Sequence, residues 1–316
     1  MKPRALLPLT AIALLATPAF ADEPGPKTEE PKPEVATKTE APKPSAAEKK
    51  QGYSIPWVMR PAPAITIVRL DGTQVFQEGG STQVSVLTGA YRIIPDVAIL
   101  ARAAFVRVSP DGKDSATGFS NPLLAGVFAP EIAPHTRLNL FLGFTFPLGS
   151  GGGNTPDLSK TAAVSAGVYA RQGMDNALFA MNYFAAIGGA SVAYVDRGLT
   201  AQVDLTVLEL IRAKGSDLEK DDKRTNSMAA LHVGYRVLSF LTVSAELHHQ
   251  RWLSTPTAVD KDSSKRAQST IGAGVRFNLP IDDHVLRPGL AYFQGLDDPM
   301  DGAKMKILML DVPFVF

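Results

Sequence analysis

The 316-residue sequence predicts an antiparallel transmembrane β-barrel of about 12 strands. Three observations predict it. Apolar and polar residues alternate with period two again and again from about residue 53 to the end. Several alternating runs reach about ten residues, what a tilted strand needs to cross a bilayer and longer than the usual five or six. The links between runs are alternately long and short, as a barrel with one loop-bearing rim requires.

The elements follow in chain order. Residues 1–21 read as a secretory signal peptide: Lys2 and Arg4, an apolar run over 5–16, then Ala19-Phe20-Ala21 before Asp22. Residues 22–52 are rich in Pro, Glu, Lys and Ala and nearly lack larger apolar side chains. They cannot bury enough surface to offset their ordering entropy, so they are expected to form a disordered, solvated segment on the periplasmic side. Residues 53–316 are expected to form the barrel. Strands are expected at 64–70, 83–92, 97–108, 120–129, 136–147, 187–195, 199–212, 225–237, 240–253, 268–279, 284–295 and 303–316. Ten and fourteen are the alternative counts. Residues 158–185 carry alanine at 162, 163, 166, 170, 177 and 180, and alanine favours helix over strand. They are expected to form a helical or loop insert after the fifth strand, at the outer rim or folded inward, with two further strands as the alternative.

The alternation assigns faces. In 199–207 the apolar set Leu199, Ala201, Val203, Leu205 and Val207 alternates with Thr200, Gln202, Asp204 and Thr206. The same holds in 242–250 and 270–279, while 137–146 carries Leu138, Leu140, Leu142, Phe144 and Phe146 on one face. A barrel in lipid turns its apolar face outward. The other face then lines the lumen, with candidates Arg102, Arg137, Asp204, His232, Arg236, Glu246, His248, Arg276, Arg287 and Asp311. Buried charges must be wet or paired. Five arginines against three carboxylates predict a mild anion preference if the lumen conducts.

Composition excludes several classes. A net charge of +1 argues against nucleic acid as a partner. With no cysteine there is no disulfide, thiolate metal site, cysteine nucleophile or lipid-modified cysteine. The glycine-rich run 149–157 lacks the Lys-Ser/Thr pair of a phosphate loop. His248 and His249 point to opposite faces of one strand, whereas His232 and His248 both face inward, a pair with no third ligand. Ser244, Glu246 and His248 share a face at two-residue steps, which is loose for a catalytic relay. No catalytic residue, metal or cofactor is expected.

The chain stops at Phe316, and stepping back by two gives Phe314, Val312, Leu310 and Leu308. This register resembles the C-terminal strand of Gram-negative outer-membrane β-barrel proteins of the porin-like and transporter-like kind. Pro313 departs from it by removing a ladder donor. The run 138–149, LNLFLGFTFPLG, resembles a strand and turn of outer-membrane transporters linked to aromatic degradation. The resemblance implies a cell outer-membrane location, outer-membrane lipids and lipopolysaccharide as surroundings, and recognition of the terminal strand by the barrel-assembly machinery. It implies a channel or transporter for small solutes. The alternative is a non-conducting barrel with a structural, adhesive or hydrolytic role, favoured by the apolar inner residues Ile307, Met309 and Val315.

Overall fold

A computed structural model describes residues 52–216 and 219–316. The signal peptide and nearly all of the 22–52 segment lie outside the described residues.

Period-two patterning over long runs yields strands with two unlike faces, and these close into a 12-strand antiparallel barrel. In chain order the wall comprises β1 Ile67–Gln77, β2 Gly80–Ile94 and β3 Val97–Pro110. β4 is broken into Ala116–Phe119, Leu123–Phe128 and Glu131–Ala133. Then come β5 Thr136–Thr145, β6 Tyr183–Asp196, β7 Leu199–Arg212, β8 Lys223–Leu238 and β9 Leu241–Trp252. β10 is Ala267–Phe277 continued by Leu279–Ile281. β11 is His284–Leu286 continued by Gly289–Gly295, and β12 is Lys306–Val315. Each strand pairs with its neighbours in sequence, and β1 pairs with β12 from Ile67↔Val315 to Phe76↔Lys306. Closure leaves the wall no free edge, the condition for placing backbone in lipid. Among the described residues no helix is long and apolar enough to cross a membrane.

The facing is read directly from burial. On β7 Leu205 is 59% exposed while Asp204 is 2% exposed. Leu308, Leu310, Val312, Phe314 and Phe316 lie on the outer face of the last strand, and Ile307 and Met309 are buried within. The rim that holds Ile67 and Val315 is here called proximal and the other distal. Proximal turns are short: Arg197 and Gly198 both adopt positive φ (46° and 85°), as a two-residue hairpin matched to strand twist requires.

Two strand boundaries differ from expectation. β1 runs to Gln77, not residue 70, because its outer face carries Gly72 and Gln74 and so loses the apolar signal. β6 begins at Tyr183, taking Tyr183, Phe184 and Ala185 from the expected insert; pairing with Arg212, Ile211 and Leu210 of β7 overrides the helical preference read from alanine.

Two segments fill the bore. Residues 53–66 rise from the proximal rim to mid-barrel and return to β1; they belong to no wall strand. The 146–182 connection holds helices α1, Leu158–Ala170, and α2, Asn176–Phe179. Asp157 caps α1 by accepting the Lys160 N–H at 3.1 Å. α1 folds inward, its Val164 and Ala163 buried with Val75, Val84, Val86, Ala104 and Val106 of the wall. Apolar inner faces on β1–β3 thus bind the insert through the hydrophobic effect.

Leu205→Arg places a charge on the lipid face midway along β7 and is expected to cost about 2–4 kcal/mol. Denaturant titration of the protein refolded into vesicles checks this, with Leu199→Arg near the rim expected to cost less.

Candidate functional site

The wall is shaped to receive residues 53–66. A Cβ added at Gly274 or Gly289 would lie 2.6 or 2.5 Å from the Trp57 ring, and one at Gly189 would lie 2.9 Å from the Arg60 guanidinium. Only glycine on those inward positions leaves room for these side chains. Pro56, Pro61 and Pro63 reduce the backbone N–H groups that the bore must satisfy. Other donors find acceptors on the wall or within the segment: Ser54 N–H donates to Thr200 Oγ1 of the wall at 2.9 Å, and Ala62 N–H to the Tyr53 hydroxyl of the same segment at 2.8 Å. Asn139 Nδ2 donates to the Ala62 carbonyl at 2.9 Å and Gln202 Nε2 to the Arg60 carbonyl at 2.8 Å.

Glu246 is the anchor. Its Oε1 accepts Trp57 N–H at 2.6 Å and His232 Nδ1 at 2.9 Å; its Oε2 accepts Val58 N–H at 3.3 Å and His248 Nε2 at 2.8 Å. Four donors saturate an ionised carboxylate. The opposite ring nitrogens meet hydroxyls, His232 Nε2 at 3.1 Å from Ser54 Oγ and His248 Nδ1 at 3.2 Å from Thr270 Oγ1. Trp57 Nε1 donates to Ser244 Oγ at 2.9 Å. The chain Ser54–His232–Glu246 has the connectivity of a nucleophile, base and orienter. Ser54 is buried, and a Cβ at Gly234 would lie 2.2 Å from its Oγ. The arrangement works as a seat for the inner segment. Among the described residues no three side chains group as a metal site.

Beside Glu246 lies a network of charges. Asp71 and Asp311 face each other across the β1–β12 seam. Arg69 Nε donates to both, at 2.6 and 2.8 Å, and Arg276 pairs with Asp311. The rest of the Arg69 guanidinium holds the inner segment, Nη1 on the Pro56 carbonyl at 3.0 Å and Nη2 on that of Trp57. The Arg276 guanidinium lies 4.2 Å from the Trp57 ring centre, a cation–π contact. Arg60 pairs with Asp204, while Asp175 of the insert pairs with Arg102 of β3 at 2.6 and 2.9 Å and with Arg171 at 3.0 Å. Burial works against the Asp175 charge, but the Arg102 and Arg171 guanidiniums outweigh it and hold this carboxyl below the usual aspartate range.

Of the residues expected in the lumen, Asp204, His232, Glu246, His248, Arg276 and Asp311 are buried inside the barrel and Arg102 points inward beside them. Arg137 sits at the proximal rim with Glu131 and Asp96, and Arg287 donates to the Tyr53 carbonyl at 2.8 Å. Arg236 faces inward near Gly52. The expected balance of five arginines to three carboxylates is incomplete. Arg69 and Asp71 come from β1, Arg60 from the inner segment, and Arg171 and Asp175 from the insert. The Asp71–Thr73 alternation was a signal for the first pair; nothing in strand patterning signals residues off the wall.

No protein-family model matches the sequence, and no curated protein does. Solved structures do. An outer-membrane channel from Pseudomonas putida is 14% identical with a TM-score of 0.52, over 82% of this chain and 98% of that one. The NanC porin is 8% identical with a TM-score of 0.48, over 78% and 98%. The KdgM porin, solved in complex with disordered oligogalacturonate, is 10% identical with a TM-score of 0.45, over 79% and 99%. At these identities the likeness is one of fold: this chain has the architecture of an outer-membrane β-barrel.

Glu246→Ala strips the acceptor from two backbone N–H groups and two histidines and is expected to destabilise the seated segment by about 3–5 kcal/mol. In a Trp252→Phe background Trp57 is the sole tryptophan. Its emission should shift to the red and its quenching by acrylamide should rise in the Glu246→Ala protein.

Proposed function

We propose that this protein is an outer-membrane channel for small solutes, closed in the present conformation by its own residues 53–66 and its helical insert. The observation that carries the reading is how the bore is filled. A non-conducting barrel can be packed by its own wall side chains. Here the wall instead turns glycines inward at 189, 274 and 289 and leaves its charges to be met by segments that are not part of it. A wall that needs removable filling has a bore wide enough to open. Gaps of about 30 Å³ remain between the inner segment and the insert, room for about one water.

The proximal rim faces the periplasm on this reading, so the segment preceding residue 53 lies there and the long 213–222 and 253–266 connections face outward. The apolar outer band meets lipid and lipopolysaccharide, and the strand ending at Phe316 serves recognition by the assembly machinery. The alternative, a permanently filled structural barrel, is favoured by the extent of the packing around Phe293, Ile307 and Met309.

Planar-bilayer recording tests the two. The full-length protein is expected to show small or rare conductance, and deletion of 53–63 is expected to raise it several-fold. A deletion variant that folds, as judged by heat-modifiable gel mobility, yet remains silent supports the structural barrel.

A further inference from the structure

Arg60 occupies a pocket that belongs to the wall. Asp204 of β7 is 2% exposed and receives one Arg60 nitrogen on both carboxylate oxygens, at 2.7 and 2.8 Å. Thr206 Oγ1 accepts from the same nitrogen and itself donates to Asp204 at 3.0 Å. The guanidinium carbon stands 4.3 Å from the centre of the Phe141 ring on β5. Gly189 on β6 supplies the clearance, since a Cβ there would lie 2.9 Å from the guanidinium. Three strands thus contribute a carboxylate, a hydroxyl, an aromatic face and a glycine to one cation.

The tethered occupant fits this pocket incompletely. Arg60 Nε has no hydrogen-bond partner, and neither has the buried hydroxyl of Ser191, directly across the ladder from Asp204. A cation arriving free could use polar capacity that Arg60, held by its backbone, leaves unused. Arg60 also lines the gap shared with Arg102, Phe141 and Asp175, so the pocket opens toward the centre of the bore. When residues 53–66 leave, Asp204 loses its counter-ion. A carboxylate this enclosed must then be wet or find another cation.

We propose that Asp204, Thr206, Phe141, Gly189 and Ser191 form a wall subsite for organic cations carrying a guanidinium or primary ammonium group, and that Arg60 is its tethered, autoinhibitory occupant. This rests on the channel reading, since it names the class of solute the opened bore would select.

The test uses the full-length Arg60→Ala protein in detergent, its fold checked by heat-modifiable mobility, with butylguanidinium as probe. Calorimetric titration is expected to show saturable binding and a raised thermal midpoint. The wild type should bind more weakly, because a tethered competitor acts at an effective concentration of the millimolar order. Butanesulfonate should not bind. Adding Asp204→Asn should weaken butylguanidinium binding by at least about tenfold, the scale of one lost hydrogen bond to a charged group. If Arg60→Ala does not fold, Arg60→Gln empties the charge with less loss of volume and is read the same way. The proposal is overturned if the vacated protein takes up no butylguanidinium, takes up butanesulfonate equally, or binds as well with Asp204→Asn. Binding is measured without conductance, so a silent barrel that still binds the cation would overturn the channel reading and leave the subsite standing.

Discussion

Every charge turned into the bore of this barrel must meet a partner, and that requirement organises the rest of the molecule. Stripping a buried carboxylate or guanidinium of its counter-ion costs several kcal/mol, comparable with the whole stability of many domains. The wall does not satisfy its own charges. Asp204 depends on Arg60, Glu246 on the Trp57 and Val58 N–H groups, and Arg102 on Asp175. Only the Arg69–Asp71–Asp311–Arg276 cluster draws mainly on the wall, and Arg69 still spends two donors on the carbonyls of Pro56 and Trp57. The inner segment and the barrel are therefore one electrostatic unit, although residues 53–66 form no strand of the wall.

Shape repeats the same dependence. Inward glycines remove side chains where Trp57 and Arg60 seat, so an empty wall would be left with hollows as well as unpaired charges. The distal half is handled differently. There the inner faces of β1–β3 are apolar, and α1 answers with Val164 and Ala163. The proximal filling relies more on hydrogen bonds and ion pairs, and the distal filling adds apolar contact around α1 to the Asp175–Arg102 and Arg171–Asp71 pairs. Polar contacts can be exchanged for water at little net loss, whereas apolar contacts cannot. On the proposed channel reading, the segment suited to come out is the proximal one.

The wall was legible in the sequence because lipid imposes a strict period of two on whatever faces it. On β7 the run from Leu199 to Val207 needs no other information. β1 was shortened because Gly72 and Gln74 occupy lipid-facing positions, and with it went Asp71 as a lumen charge. The segment 53–66 was read as the start of the barrel, since it has no periodicity to place it inside. Its traces were indirect: three prolines around a tryptophan, and a glycine on the inner face at 274 with no stated occupant. Arg60, Arg171 and Asp175 could not be counted, because strand alternation assigns faces only to residues of the wall. A balance of charges across a bore is long-range information of a kind that a local pattern does not contain.

The same electrostatics makes partial opening unfavourable. Two unit charges 4 Å apart interact by about 1 kcal/mol in water but about 4 kcal/mol at an effective dielectric of 20. With residues 53–66 seated the paired groups Asp204 and Glu246 are buried, and each pair is worth keeping. With the segment withdrawn and water admitted, Asp204 and Glu246 are solvated and no longer need it. A segment only half withdrawn satisfies neither condition: it breaks the pairing at Arg60 and Trp57 before water has room to replace it. Dry and closed, or wet and open, are then the two favourable arrangements, separated by states that leave buried charge unmet. On the proposed channel reading, the network that closes the bore therefore also makes its opening an all-or-none event.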